Sequence, residues 1–162
     1  MISRREYSPP PPFLCSSQQD VQPAAQQDVQ PLEARQLAET RKRENDEASE
    51  AVRTAAVNVN NAQEEFNRVR QEIRAASEAV GATKNQFTTA VKHHRIDDIN
   101  ALRERLNGES KTLFDKTELF NERNNTLSAA HGAYQAALAH SNTTAIRYTE
   151  ATQKFTAASM KE

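Results

Sequence analysis

Large apolar side chains recur every seven residues through most of this chain. In the first half they are Val52, Val59, Phe66, Ile73, Val80 and Phe87. In the second they are Ile99, Leu106, Leu113, Phe120, Leu127, Tyr134, Tyr148 and Phe155, with Ser141 the one interruption. At 3.5 residues per turn such a column stays on one seam, so the repeat marks helices supercoiled around each other. The pattern predicts an all-α fold, a long antiparallel two-helix coiled-coil hairpin over residues 32–162, with a disordered tail before it over residues 1–31.

The companion column decides how the halves fit. In the first half it reads Ala48, Ala55, Ala62, Val69, Ala76, Thr83 and Ala90, almost entirely small. In the second, a spacing of four after each large residue gives Arg103, Ser110, Thr117, Asn124, His131, Leu138, Ala145 and Thr152. Antiparallel pairing can then set large against small in every layer. Residues whose numbers sum to 189 or 190 should face each other: Ala90 with Ile99, Thr83 with Leu106, Ala76 with Leu113, Val69 with Phe120 and Ala55 with Tyr134. In the alternate layers Phe87 meets Arg103, Phe66 meets Asn124, Val59 meets His131 and Val52 meets Leu138. Asn124 and His131 then read as polar layers that fix the register.

The large column loses phase after Phe87 and restarts at Ile99, which predicts the turn near residues 93–98 and arms of about 33–92 and 97–160. Lys92, His93, His94 and Arg95 sit where a helix C-terminus favours positive charge. Asp97 and Asp98 sit where the next helix wants an N-cap and negative charge. A rival turn at Asn107-Gly108, which would give three helices, is opposed by the unbroken step from Leu106 to Leu113. The same register sets Gly81 level with Gly108, a candidate hinge, because mid-helix glycine costs about 1 kcal/mol relative to alanine.

The tail differs in composition. All six prolines lie at or before Pro31, in Tyr7-Ser8-Pro9-Pro10-Pro11-Pro12-Phe13 and in a Gln-Gln-Asp-Val-Gln-Pro unit that ends at Pro23 and again at Pro31. Such a segment buries too little apolar surface to offset the entropy of ordering it. Its four-proline run suits a short polyproline II stretch, either a ligand for an aromatic-lined groove or a spacer. Lone Cys15 allows no intramolecular disulfide. No apolar run is long enough to span a membrane, and no typical signal peptide is visible. The expected location is therefore cytoplasmic, with non-classical secretion as the alternative.

Charge narrows the partners. Two of the 21 basic and three of the 22 acidic residues precede residue 32, leaving 19 of each in the helical part and a net charge of zero. That balance gives no pointer to nucleic acid or to an anionic membrane. No phosphate loop, nucleophile triad or glycine-rich fingerprint occurs, so no catalytic residue, cofactor or metal is assigned. His93, His94, Asp97 and Asp98 form the one conceivable metal cluster, but adjacent histidines diverge on a helix. Asn124-Asn125-Thr126 and Asn142-Thr143-Thr144 match the glycosylation pattern, yet lie mid-helix.

Apolar residues remain outside the seam: Val57, Val91, Leu102, Phe114, Leu119 and Ile146, with Ala129, Ala133, Ala136 and Ala137 as a smooth surface. A two-helix hairpin cannot bury them all, which implies a helical partner or a second copy. The expected function is a non-enzymatic coiled-coil interaction protein: an adaptor, spacer or assembly stalk. The alternative is a component or substrate of a bacterial secretion system whose tail is the export signal. The architecture is similar, at the level of fold alone, to the helical-hairpin stalks of type III export machines. A membrane-curving helical module ranks behind both.

Overall fold

The described residues form a two-helix hairpin. This computed structural model describes the backbone of residues 24–161 and the side chains of residues 30–161. Helix α1 runs Ala24–Lys92 and helix α2 runs Ile96–Ser159, packed antiparallel. At 1.5 Å per residue each is about 100 Å long. The tail reading for residues 1–23, including Cys15 and the proline run, lies outside the described residues.

Two boundaries differ from the sequence expectation. Helix α1 starts at Ala24 and carries Pro31 within it, earlier than the arm of about 33–92 expected from the heptads. Proline lacks the N–H that would bond four residues back, a cost of about 3 kcal/mol inside a helix. Here it removes only a bond near the helix start. The second difference is the cap of α2. Asp97 and Asp98 fall inside the first turn, where their charge suits the helix dipole, but the N-cap is Arg95, which makes no side-chain capping bond. Arg95 reaches Asp98 instead, at 3.4 Å.

The turn is short, His93 to Arg95, and its geometry is that of a Schellman closure. His94 adopts φ 53°, the left-handed region. Its N–H bonds Val91 O at 3.2 Å, and the Arg95 N–H bonds Ala90 O at 3.1 Å. Those two bonds satisfy carbonyls that the end of α1 would otherwise leave open. Histidine has a Cβ and so adopts this conformation at some cost.

Burial along the helices follows four columns. On α1 the inward positions are the Val52 column (38, 45, 52, 59, 66, 73, 80 and 87) and the Ala48 column (34, 41, 48, 55, 62, 69, 76, 83 and 90). On α2 the Ile99 column is inward throughout, from Ile99 to Phe155. Its companion is Leu102, Glu109, Lys116, Arg123, Ala130, Ala137, Thr144 and Ala151, one residue before the column read from the sequence. With this shift every layer shares a single sum. Ala90 to Ala48 pair with Ile99 to Ser141, and Phe87 to Asn45 pair with Leu102 to Thr144, all at 189. A direct contact marks the register: Thr144 Oγ1 donates to Asn45 Oδ1 at 3.2 Å. The core is narrow. Val69, Thr83 and Ala90 are fully enclosed, and Ala48, Val80, Thr144 and Ala151 nearly so.

Candidate interaction surface

The one-residue shift relocates the polar groups of the seam. Asn124 and His131, expected as register-setting layers, are exposed on the outer flank of α2, and Leu138 is exposed beside them. Helical geometry is the reason: the companion of each large residue lies three positions ahead of it, not four. The seam instead receives three charged residues in consecutive heptads, Glu109, Lys116 and Arg123, level with Val80, Ile73 and Phe66.

Each of these charges meets a different solution. Glu109 accepts a 2.6 Å bond from the hydroxyl of buried Thr83 and a 2.8 Å bond from Arg105 Nε. Lys116 donates to Glu72 across the helices. Arg123 keeps its Nε away from solvent with no hydrogen-bond partner among the described residues. Beside it the rings of Phe66 and Phe120 lie 4.8 Å apart at a 36° tilt, within the range of favourable aromatic contacts. The seam is thus bulkiest and most charged at mid-length. Toward the free ends Ala48, Ala55 and Ala62 oppose Ser141, Tyr134 and Leu127, and Ala48, Thr144 and Ala151 are nearly enclosed.

These pairings respond to pH. The bond from Lys116 holds the Glu72 carboxyl below the usual range, the bond from Arg41 does the same for Glu44, and bonds from Thr83 and then Arg105 do so for Glu109. A carboxylate whose folded pKa is depressed contributes stability above its unfolded value and loses it as pH falls through the folded value. The melting temperature should therefore hold from neutral pH down to about 5 and drop below about 4. Circular dichroism melts of wild type and Glu72→Gln/Glu109→Gln check this. The variant should show a shallower acid limb, and an identical limb would contradict the assignment.

Gly81 and Gly108 lie level with each other, exposed, in uninterrupted helix with no positive φ. A Cβ added at either would meet nothing within 4 Å. Packing therefore does not require glycine at this level. Gly81→Ala and Gly108→Ala should each raise stability by about 1 kcal/mol, measured by urea unfolding; a destabilised variant would show that the backbone there needs glycine.

The remaining surface divides between large apolar side chains and grooves. Phe114, Ile146 and Val57 are 62%, 61% and 56% exposed, and Ile96 and Val91 are exposed at the tip. Leu102 and Leu119 are only partly buried, and Ala129, Ala133 and Ala136 are open. Among the described residues, grooves run between the helices at three levels. One near the tip is lined by Gln86, Thr89, Asp98 and Leu102, one at mid-length by Asn58, Asn61, Glu65, Arg123 and Thr126, and one near the free end by Glu44, Ala51, His140 and Arg147. All three open on the same side of the hairpin.

The chain matches no family model, no curated protein and no solved structure. Among the described residues no group of three or more His, Cys, Asp or Glu side chains is placed to hold a metal ion. His93 and His94 stand at the exposed tip near Asp97 and Asp98 without forming such a group. None of the described helices is long and apolar enough to cross a membrane.

Proposed function

We propose that this chain is a non-enzymatic coiled-coil interaction protein, a rod that acts as adaptor, spacer or assembly stalk by docking helices along its length. The observation that supports it is the division of apolar surface. A hairpin of about 100 Å fully encloses only a few small side chains, while Phe114, Ile146 and Val57 stand outside the seam. Large exposed apolar side chains on an otherwise polar rod suit helix-on-helix packing against another protein surface. Rigid length is the other useful property, because the hairpin holds whatever binds near the tip far from whatever binds near the free ends.

A photo-crosslinking residue at position 114 in the full chain, expressed in its native cells, tests the reading. Protein adducts, either a second copy or a distinct helical protein, are expected with the otherwise wild-type chain. They should fall at least several-fold when Val57 and Ile146 are also changed to Ser. A chain that gives no protein adduct would overturn the proposal.

A further inference from the structure

Although the helical part carries no net charge, the fold sorts its charges by side. Position letters make this explicit: Val52 and Ala55 are a and d of α1, and Ile99 and Leu102 are a and d of α2. In an antiparallel pair the e and b positions of both helices share one side of the hairpin, and the g and c positions share the other. Neighbouring groups agree. Lys42, an e residue, lies close enough to feel Tyr148 of α2, and apart from Asn85 the three grooves are lined by g, c and d residues from both helices.

Between residues 42–91 and 98–147 the e and b side carries Lys42, Arg53, Arg70, Arg74, Lys84 and Arg103 against a single acid, Asp46. That acid is already bonded to Lys42 at 2.9 Å. Arg70, Arg74, Lys84 and Arg103 are exposed and make no ion pair among the described residues. The α2 part of this side is otherwise uncharged, with Asn100, Asn107, Asn121, Asn124 and exposed Phe114. The g and c side over the same span carries seven acids, Glu44, Glu47, Glu65, Glu72, Asp98, Asp115 and Glu122, against Arg68, Arg105 and Arg147. Seam residues Lys116 and Arg123 lean to this side and Glu109 with them, which leaves it acidic still.

We infer that the basic side of one hairpin docks on the acidic, grooved side of a second copy. Register supports the pairing. If one hairpin is laid on the next without axial shift, Arg70 and Arg74 come level with Glu65, Glu72, Asp115 and Glu122. Arg103 comes within a few residues of the level of Asp98, and Lys42 of Glu44 and Glu47. The exposed Phe114 ring faces the half-buried Leu119 of the copy above or below. A polyanion is a poorer fit to the basic side. Its cations are spread from residue 42 to residue 84, about one per 10 Å of rod, whereas duplex nucleic acid presents one charge per about 1.7 Å.

Because the two sides differ, the contact is heterologous and does not close on itself; repetition would stack hairpins into an open row. Contacts between exposed charges are screened beyond about 8 Å at physiological ionic strength, so the association should be salt-sensitive. The inference names the partner within the interaction reading above, and the two can fail separately.

The test is sedimentation equilibrium of the full chain at about 20 and about 500 mM NaCl, which bracket weak and strong screening. Wild type should show a mass that rises with concentration at low salt and falls toward the protomer at high salt. Arg70→Glu/Arg74→Glu, which makes both sides acidic at mid-length, should stay a monomer at low salt, as should Glu65→Lys/Asp115→Lys/Glu122→Lys, which makes both sides basic there. Mixing the two variants should restore association, a result that neither misfolding nor general stickiness would give. A wild type that is monomeric at low salt would overturn the second-copy inference while leaving docking of a different protein open to the crosslinking test. Association unaffected by salt and by both reversals would overturn it as well. So would binding of heparin or anionic vesicles that Arg70→Glu/Arg74→Glu abolishes, without self-association.

Discussion

Phe120→Ala should destabilise the hairpin by about 2–3 kcal/mol, the largest loss expected from a single truncation. Phe120 and Phe66 are the bulkiest apolar members of the middle layers. Its ring lies 4.8 Å from that of Phe66, and its layer partner is Val69, which is fully enclosed. Truncation removes the transfer free energy of a ring that is partly buried, and an aromatic contact worth about 1 kcal/mol beyond its area. Two long rods of fixed backbone collapse poorly around such a void, so relaxation recovers little. For a chain of this size the loss should lower the melting temperature by about 10 °C. Urea unfolding followed at 222 nm checks it, with Phe114→Ala as the control. Phe114 is 62% exposed, so its truncation should cost less than about 0.5 kcal/mol. Equal losses at the two positions would contradict the described seam.

The opposite sign is expected when charges leave the seam. Lys116→Leu/Arg123→Leu should stabilise the hairpin by about 2 kcal/mol. Each leucine would pack in the layers of Ile73 and Phe66, at about 1 kcal/mol for a half-buried side chain. The change also removes the Arg123 Nε, which is shielded from water without a partner, and an unsatisfied group of that kind costs about 1–3 kcal/mol. Lys116 gives up its bond to Glu72, but that carboxylate is partly exposed and can turn to solvent. Glu109 is left in place because Thr83, fully buried, donates its hydroxyl to it. The variant should melt higher in urea and lose register specificity, since buried polar groups can exclude alternative alignments. A destabilised variant would mean that Lys116 and Arg123 make net-favourable contacts where they stand.

The fold was legible because the strongest signal in the chain is also the simplest. The step from Phe87 to Ile99 breaks phase at the turn, and the large column reads directly as the inward face of both helices. The companion column of α2 was not legible, for a physical reason. Three of its members, Glu109, Lys116 and Arg123, are charged, so hydrophobicity could not distinguish that column from its exposed neighbour. A stricter constraint was available in the sequence. Two antiparallel helices of equal rise keep one residue sum in every layer, and 189 throughout selects Leu102, Ala130, Ala137 and Ala151, a more apolar set than Arg103, His131, Leu138 and Thr152. The sorting of charge by side was hidden for the same reason. Summed over both helices the charges cancel; the α1 columns already set Arg70 and Arg74 apart from Glu65, but only the shifted α2 column sets Arg103 apart from Asp115 and Glu122.

The account rests most directly on the register, and disulfide trapping tests it. In a Cys15→Ser background, one variant carries Val52→Cys with Ala137→Cys, and another carries Val52→Cys with Leu138→Cys. A disulfide needs Cα atoms within about 7 Å and Cβ vectors that converge, so the two pairs separate a constant sum of 189 from the alternate 190. The structure places Ala137 in the seam and Leu138 on the exposed flank. Rapid intramolecular closure of the first pair, with slow or no closure of the second, is the result expected from this hairpin. Faster closure of the second pair would move the seam to Asn124 and His131. Closure only between chains would contradict the hairpin itself.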